Sequence, residues 1–227
     1  DYFLKNLPNS FILYKPKDIV AGDFYWMQVI DDHVLYATAD CTGHGVPGAM
    51  VSVVCSNSLN ESIKELKTTN TGEILEMTRG LVKEHFYTED KNVRDGMDMT
   101  LCALNLQTKK IQFTGANNPL YIIRKNEIIE VKGDKQPVGN HINEQPFTTH
   151  TIQLQEDDVL YTFSDGYIDQ FGGEKGKKFM KKRFKKLLLD IYLKPMQEQK
   201  SILNNTFNNW KGDGEQIDDV CVIGVKI

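Results

Sequence analysis

The sequence predicts an α+β fold in which antiparallel sheets are covered by helices. Two patterns support this: many strand-like runs follow one another at turn-length spacing, and the helical stretches occur in pairs instead of between successive strands. Size agrees, because 227 residues can bury a substantial core without disulfides or metal. We therefore expect antiparallel sheets and not a parallel, doubly wound sheet.

The first two strands are predicted together with their register. Alternating and aromatic residues favour strands over 22–30 and 33–40, and the two aspartates between them favour a two-residue turn. Continuing the register of that hairpin pairs Asp23 with Asp40. Opposed residues on one face have Cβ atoms about 4.5–5.5 Å apart, so both carboxylates can serve one metal cluster.

The rest of the chain continues with helices and strands. A helix is predicted up to about Lys67, with an apolar stripe formed by Val46, Met50, Val53, Val54 and Ile63. A second helix is predicted over 71–86. Five strands, a basic helix, another helix and a closing strand follow over 99–106, 110–116, 119–125, 127–132, 158–165, 177–191, 196–210 and 220–227.

Composition and charge argue against several classes of partner. The formal net charge of -4 gives no electrostatic reason to expect nucleic acid or an anionic membrane. No run approaches the roughly 18 apolar residues that a membrane helix needs. The four cysteines are scattered without CxxC spacing, so we expect reduced thiols in a cytoplasmic protein. Because the chain begins at Asp1 without a methionine, we expect a domain excised from a longer protein.

Four short segments place aspartate at a strand end or turn. They are AGDFYW with Asp23, TADCTGHG with Asp40, FSDGYID with Asp165, and QIDDVCV with Asp218 and Asp219. Carboxylates gathered at a sheet rim repel one another and need cations. Oxygen ligands without a Cys or His cluster favour Mg²⁺ or Mn²⁺, and a pair of such ions is a known solution for phosphoester hydrolysis. Each aspartate taken alone fits a turn or a helix cap equally well.

In this order, five segments resemble the metal-dependent protein phosphatase family (protein phosphatase type 2C), in its bacterial branch typified by the sporulation stage II E phosphatase. The segments are KPKDIVAGDFYW, ADCTGHGVPGAMVS, GANNPLYIIR, SDGYIDQFGG and DDVCVIGVKI, within a match from about Phe11 to Ile227. The resemblance implies an αββα sandwich of two antiparallel sheets flanked by helix pairs. It also implies a serine/threonine protein phosphatase in which a hydroxide bridging two Mn²⁺ or Mg²⁺ ions attacks the phosphoester.

Carried over by position, the resemblance implies a role for each aspartate. Asp40 resembles the carboxylate that bridges both ions, and the backbone carbonyl of Cys41 is the next ligand. Asp165 and Asp218 resemble the ligands that complete the second metal, and Asp23 resembles a residue that holds an ion through water. Asp40, Asp165 and Asp218 would then act in catalysis through the bridging water.

Two features depart from the pattern of the animal enzymes. Those enzymes have His two residues after the bridging Asp, whereas His44 follows Asp40 by four, so we do not expect His44 to be the dominant general acid. In RDGMDMT, either Asp95 or Asp98 can approach a third ion, and the spacing from Thr100 favours Asp95.

The resemblance further implies partners and a domain boundary. The substrate class would be a phosphorylated, anti-anti-sigma-like regulatory protein. Residues 1–17 would end a linker or regulatory segment from an upstream sensor or repeat domain, and 18–227 would form the catalytic domain. A degenerate, non-catalytic phosphoprotein-binding module is an alternative, but it would lack a ligand aspartate. A metal-dependent nuclease or small-molecule phosphoesterase would share the carboxylates, but the overall charge does not support a nucleic-acid strand.

Overall fold

The computed structural model describes residues 2–86 and 95–227. Its helices are α1 (Tyr2–Asn6), α2 (Gly45–Leu66), α3 (Thr71–His85), α4 (Gly166–Asp169), α5 (Met180–Ile191) and α6 (Met196–Lys211). Its strands are β1 (Ser10–Lys15), β2 (Phe24–Ile30), β3 (His33–Cys41), β4 (Gly96–Asn105), β5 (Lys110–Ala116), β6 (Leu120–Arg124), β7 (Glu127–Val131), β8 (Val138–Gly139), β9 (His150–Gln153), β10 (Val159–Phe163), β11 (Phe171–Gly172), β12 (Lys177–Lys178) and β13 (Val220–Lys226).

Two antiparallel sheets stack face to face, and a helix pair covers each outer face. One sheet has the order β2-β3-β4-β5-β9 with β8 beside β4, and the other has the order β1-β13-β10-β6-β7. Apolar side chains pack in three layers: between the sheets, between the first sheet and α2 and α3, and between the second sheet and α5 and α6. The αββα prediction is therefore confirmed.

The predicted register of the first hairpin is confirmed. Strands β2 and β3 pair from Ile30 opposite His33 to Phe24 opposite Ala39. The turn between them is two residues long, and Asp31 has φ 48°, a left-handed conformation that Asp tolerates better than most residues. The next pair in this register is Asp23 and Asp40, so the two aspartates leave the ladder at the same end.

Helix α2 buries Ile63 of the predicted stripe, but most of its buried face consists of other residues. Val46, Met50 and Val53 are 67%, 68% and 59% exposed, whereas the buried face carries Val51, Cys55, Ser58, Leu59, Ser62 and Ile63. Serine is tolerated there because Ser58 and Ser62 donate to carbonyls one turn earlier, at 2.9 and 2.8 Å. In the described ranges no helix, α2 with its 22 residues included, is long and apolar enough to cross a membrane.

The segment assigned to a linker, 1–17, contributes to the fold from residue 2 onward. Strand β1 pairs with β13, and Phe11 and Leu13 are buried in the layer against α6. Phe3 and Leu7 are buried between the sheets. Residue 17 is therefore not a structural boundary, because removing these side chains would open two core layers.

Candidate metal centre

A cleft of about 240 Å³ opens at one end of the stacked sheets. Its walls come from the end of β3, the turn between β3 and α2, the start of β4 and the loops before β8, α4 and β13. The residues that line it include Asp40, Cys41, His44, Asp98, Asp165 and Asp218. Segments far apart in the sequence therefore bring their carboxylates to one place.

Asp23 and Asp40 lie at the end of the first hairpin. Asp23 is 3% exposed, and its Oδ2 atom has no hydrogen-bond partner. Burial raises the pKa of Asp23, although the Ser164 hydroxyl opposes the shift, and neighbouring aspartates raise it further. Burial also raises the pKa of Asp40, and the charges of the other aspartates add to that effect. Both carboxylates are thus held where an ionised group needs a compensating positive charge.

Asp165 and Asp218 approach from the other sheet. Asp165 directly precedes α4, and its amide donates to Asp40 Oδ2 at 3.4 Å. A Cβ on Gly166 would lie 1.9 Å from the carbonyl oxygen of Asp219, so only glycine permits this approach of α4 to the loop before β13. Burial is the largest cause raising the pKa of both Asp165 and Asp218.

Asp219 has a different role from its neighbour Asp218. It is 1% exposed, and its carboxylate accepts from the amides of Lys17 at 2.7 Å, Gly22 at 2.8 Å and Asp23 at 3.4 Å. These bonds tie the loop that carries Asp23 to the strand end that carries Asp218. This role of Asp219 is not predictable from local sequence, because its partners are 196 to 202 residues away.

The Gly-rich turn after β3 packs against the loop before β2. Gly43 has φ 86°, and its carbonyl oxygen would lie 2.4 Å from a Cβ on Gly22 and 2.3 Å from one on Gly48. The Cys41 carbonyl oxygen would lie 3.2 Å from the same Gly22 Cβ. The Cys41 carbonyl oxygen, which the resemblance makes a ligand, therefore lies beside Gly22, the residue before Asp23.

Asp98, and not Asp95, lines the cleft. Asp98 lies opposite Asp40 in the β3–β4 ladder, and Asn117 Nδ2 donates to its Oδ1 at 2.7 Å. Burial raises the pKa of Asp98 and the Asn117 bond lowers it. Of the two candidates for a third ion, Asp98 is therefore the one that lies in the cleft, and Asp95 was the one that spacing from Thr100 favoured. Strand pairing was the signal that could have identified Asp98. If the predicted strand 99–106 is paired with the predicted strand 33–40, continuing their register places Asp98 opposite Asp40.

His44 lines the cleft but is engaged by two side chains. Its Nδ1 is 3.2 Å from Asp18 Oδ2, and its Nε2 is 3.1 Å from Lys17 Nζ. Because a lysine ammonium only donates, Nε2 is the acceptor and Nδ1 carries the proton, which it donates to Asp18. Neither ring nitrogen then offers a proton to the cleft.

The cleft fits divalent cations in its chemistry. Four carboxylates line it and offer oxygen ligands, and the buried Oδ2 of the neighbouring Asp23 is without a partner. Burial and mutual repulsion raise the carboxyl pKa values of Asp23 and Asp40. Within 2–86 and 95–227, however, no three Asp, Glu, His or Cys side chains stand ready to hold a metal ion.

The fold is that of the type 2C (PP2C) phosphatase domains. The sequence profile of the family described as Stage II sporulation protein E (SpoIIE) matches residues 30–227. The chain therefore belongs to the SpoIIE family. Comparison with curated protein sequences gives no match.

Solved structures give the same fold. The SiaA-PP2C domain of Pseudomonas aeruginosa is 28% identical with a TM-score of 0.91, and the match covers 100% of this chain and 89% of that one. The PP2C domain of SpoIIE from Bacillus subtilis, solved with a fragment of its regulatory domain, is 19% identical with a TM-score of 0.79, covering 96% and 63%. RsbX in complex with magnesium is 13% identical with a TM-score of 0.67, covering 96% and 94%.

Proposed function

We propose that this domain is a metal-dependent protein serine/threonine phosphatase. The observation that carries the proposal is the meeting of Asp40, Asp165 and Asp218 in one cleft, with Asp23 buried beside them and one of its oxygens without a partner. A purely structural role would leave these carboxylates solvated or paired with cations of the chain. Family membership and the phosphatase domains among the similar structures support the same function.

Each residue has a proposed task. Asp40, Asp165, Asp218 and the Cys41 carbonyl hold two Mn²⁺ or Mg²⁺ ions, and Asp23 acts on them through water. Asp98, in place of Asp95, holds a third, weaker ion. When bound, such ions lower the pKa of a water and neutralise phosphoryl oxygens. Asp219 positions the Asp23 loop through its three amide bonds.

The leaving alkoxide takes its proton from solvent in this proposal. His44 is the imidazole that lines the cleft, but its Nδ1 proton is held by Asp18 and its Nε2 accepts from Lys17. The cleft is open to solvent, so water can reach the leaving oxygen. His44 then fixes the position of Lys17 and Asp18 at the rim.

The proposed substrate is a phosphorylated regulatory protein of the anti-anti-sigma type in the bacterial cytoplasm, and an upstream sensor or repeat domain controls the activity. Support comes from the SpoIIE family and from the Bacillus relative solved with part of a regulatory domain. The route of control is α1 and β1, because Tyr14 on β1 donates through its hydroxyl to the Asp23 carbonyl at 2.9 Å.

The test is release of phosphate from a panel of phosphoserine and phosphothreonine proteins with Mn²⁺, Mg²⁺ or EDTA. We expect turnover with either metal, none with EDTA, and none from a folded Asp40→Ala variant. Phosphoprotein binding without turnover in either metal would instead identify a non-catalytic binding module. Turnover that persists in EDTA would refute the metal assignment.

A further inference from the structure

Strand β1 has an open outer edge. It pairs with β13 on one side and, among the described strands, with none on the other. The Lys226 amide donates to the Asn9 carbonyl, which fixes the alternation of the ladder: residues 11, 13 and 15 direct their backbone groups to β13, and 10, 12 and 14 direct theirs outward.

The centre of this edge is without partners. The Ser10 carbonyl accepts from the Gln197 side-chain amide at 3.1 Å. In the part of the chain that the structure describes, no hydrogen bond reaches the outward N–H and C=O groups of Ile12 or Tyr14. Two donors and two acceptors in a row are the template on which another strand can pair.

A groove of about 550 Å³ runs along this edge. Helix α6 forms one wall with Gln197, Lys200 and Asn204, and Tyr25 on β2 forms part of the other. The Tyr14 and Tyr25 rings meet edge to face, with centroids 5.5 Å apart, at the end nearest Asp23. The volume lies within the range of ligand sites and accommodates a short extended segment.

The groove is positively charged. Lys15 and Lys200 line it, and no acidic side chain does among the described residues. Natural edge strands are often protected by a lysine that blocks pairing. Lys15 does not act in that way, because its Nζ bonds Asn204 Oδ1 at 3.0 Å and lies 5.8 Å from the centre of the Phe207 ring, against α6.

We propose that the β1 edge binds an extended, acidic segment of a partner protein, which adds to the sheet as a further strand. The main-chain groups of Ile12 and Tyr14 supply the pairing, and Lys15 and Lys200 select the charge. The groove and the metal cleft share no lining residue, so binding to this edge can be tested without metal or turnover.

The test begins with peptides and the unaltered 227-residue chain. A fluorescein-labelled peptide of eight alternating Val and Glu residues is titrated by anisotropy in EDTA. Its two controls are the Val-Lys counterpart and a version N-methylated at alternate residues. We expect saturable binding of the acidic peptide and binding about tenfold weaker after N-methylation, the effect of losing two backbone hydrogen bonds.

Variants then locate the site. Ile12→Pro removes one outward N–H and leaves the bonds to β13, so we expect about tenfold weaker binding of the acidic peptide. Lys200→Glu should weaken it about fivefold, as rim charges do, and Lys181→Glu on the exposed face of α5 is the matched control with no effect. Circular dichroism checks the fold of each variant.

Three outcomes overturn the proposal. One is equal affinity for the acidic and basic peptides, and another is an affinity that N-methylation leaves unchanged; neither depends on whether Ile12→Pro folds. The third is concentration-dependent dimerisation that Ile12→Pro abolishes, which would assign the edge to a second copy of the chain. Sedimentation velocity measures this outcome.

Discussion

Replacing Asp219 by alanine should destabilise the fold, whereas replacing Asp218 should not. Asp219→Ala removes the acceptor for amides at 2.7 and 2.8 Å and for a weaker one at 3.4 Å. A hydrogen bond to a charged group contributes about 1.5–3 kcal/mol, so losing the two short bonds lowers the free energy of unfolding by roughly 3 kcal/mol. For a chain of this size that lowers Tm by about 6–12 °C.

For Asp218→Ala, the stabilisation lost and the repulsion relieved nearly offset each other. It removes one bond, from the Asp219 amide at 2.9 Å, and also removes a partly buried carboxylate that its neighbours repel. The change in free energy of unfolding should therefore stay within about 1 kcal/mol. At a temperature where both variants are folded, Asp218→Ala should nevertheless lose more metal-dependent turnover than Asp219→Ala, because Asp218 lines the cleft.

Calorimetry in EDTA and a phosphatase assay in Mn²⁺ measure the two effects. The control is Asp213→Ala, which changes the net charge equally at an exposed position. We call the three amide bonds to the Asp219 carboxylate the clamp. A melting temperature for Asp219→Ala within about 2 °C of the parent would refute the clamp, since the loss of even one short bond should lower Tm by more than that. Greater loss of turnover in Asp219→Ala would show that the two aspartates have exchanged roles.

Four further outcomes follow from the structure. Asp40→Ala should keep the parent circular dichroism spectrum and lose nearly all Mn²⁺- or Mg²⁺-dependent turnover. Full turnover by this variant would refute the assignment of Asp40 as a metal ligand. Mn²⁺ at about 100 times its Kd should raise the free energy of unfolding of the parent by about 2.7 kcal/mol and leave that of Asp40→Ala unchanged. Calorimetry with and without EDTA measures the difference. His44→Gln should reduce kcat less than about a hundredfold, because an essential acid contributes about 10²–10⁴. In urea unfolding, Met50→Lys should change the free energy of unfolding by less than about 0.5 kcal/mol, and Leu59→Ala should lower it by about 2–5 kcal/mol. The reverse order would show that α2 buries the face that carries Met50.

Local rules were enough to predict the first hairpin and its register. A two-residue turn fixes the register of the strands on either side, which pair from Ile30 opposite His33 to Phe24 opposite Ala39. These features depend on residues within a few positions of one another. That is why the position of Asp23 opposite Asp40 could be derived without a structure.

Features that depend on distant partners could not be derived in this way. The buried face of α2 was missed because hydropathy ranks Met50 above Ser62, while the serine is satisfied by its own helix. The clamp by Asp219 was missed because its partners belong to a loop some 200 residues earlier. The part played by β1 was missed because its partner strand is the last one in the fold.

The position of β13 has a consequence for synthesis. This strand lies between β1 and β10, and Asp218 and Asp219 directly precede it. Until residues 218–226 leave the ribosome, β1 has no partner strand and the Asp23 loop has no clamp. Contacts of such long range form slowly and late. A nascent chain therefore cannot complete the cleft before residues 218–226 have been synthesised.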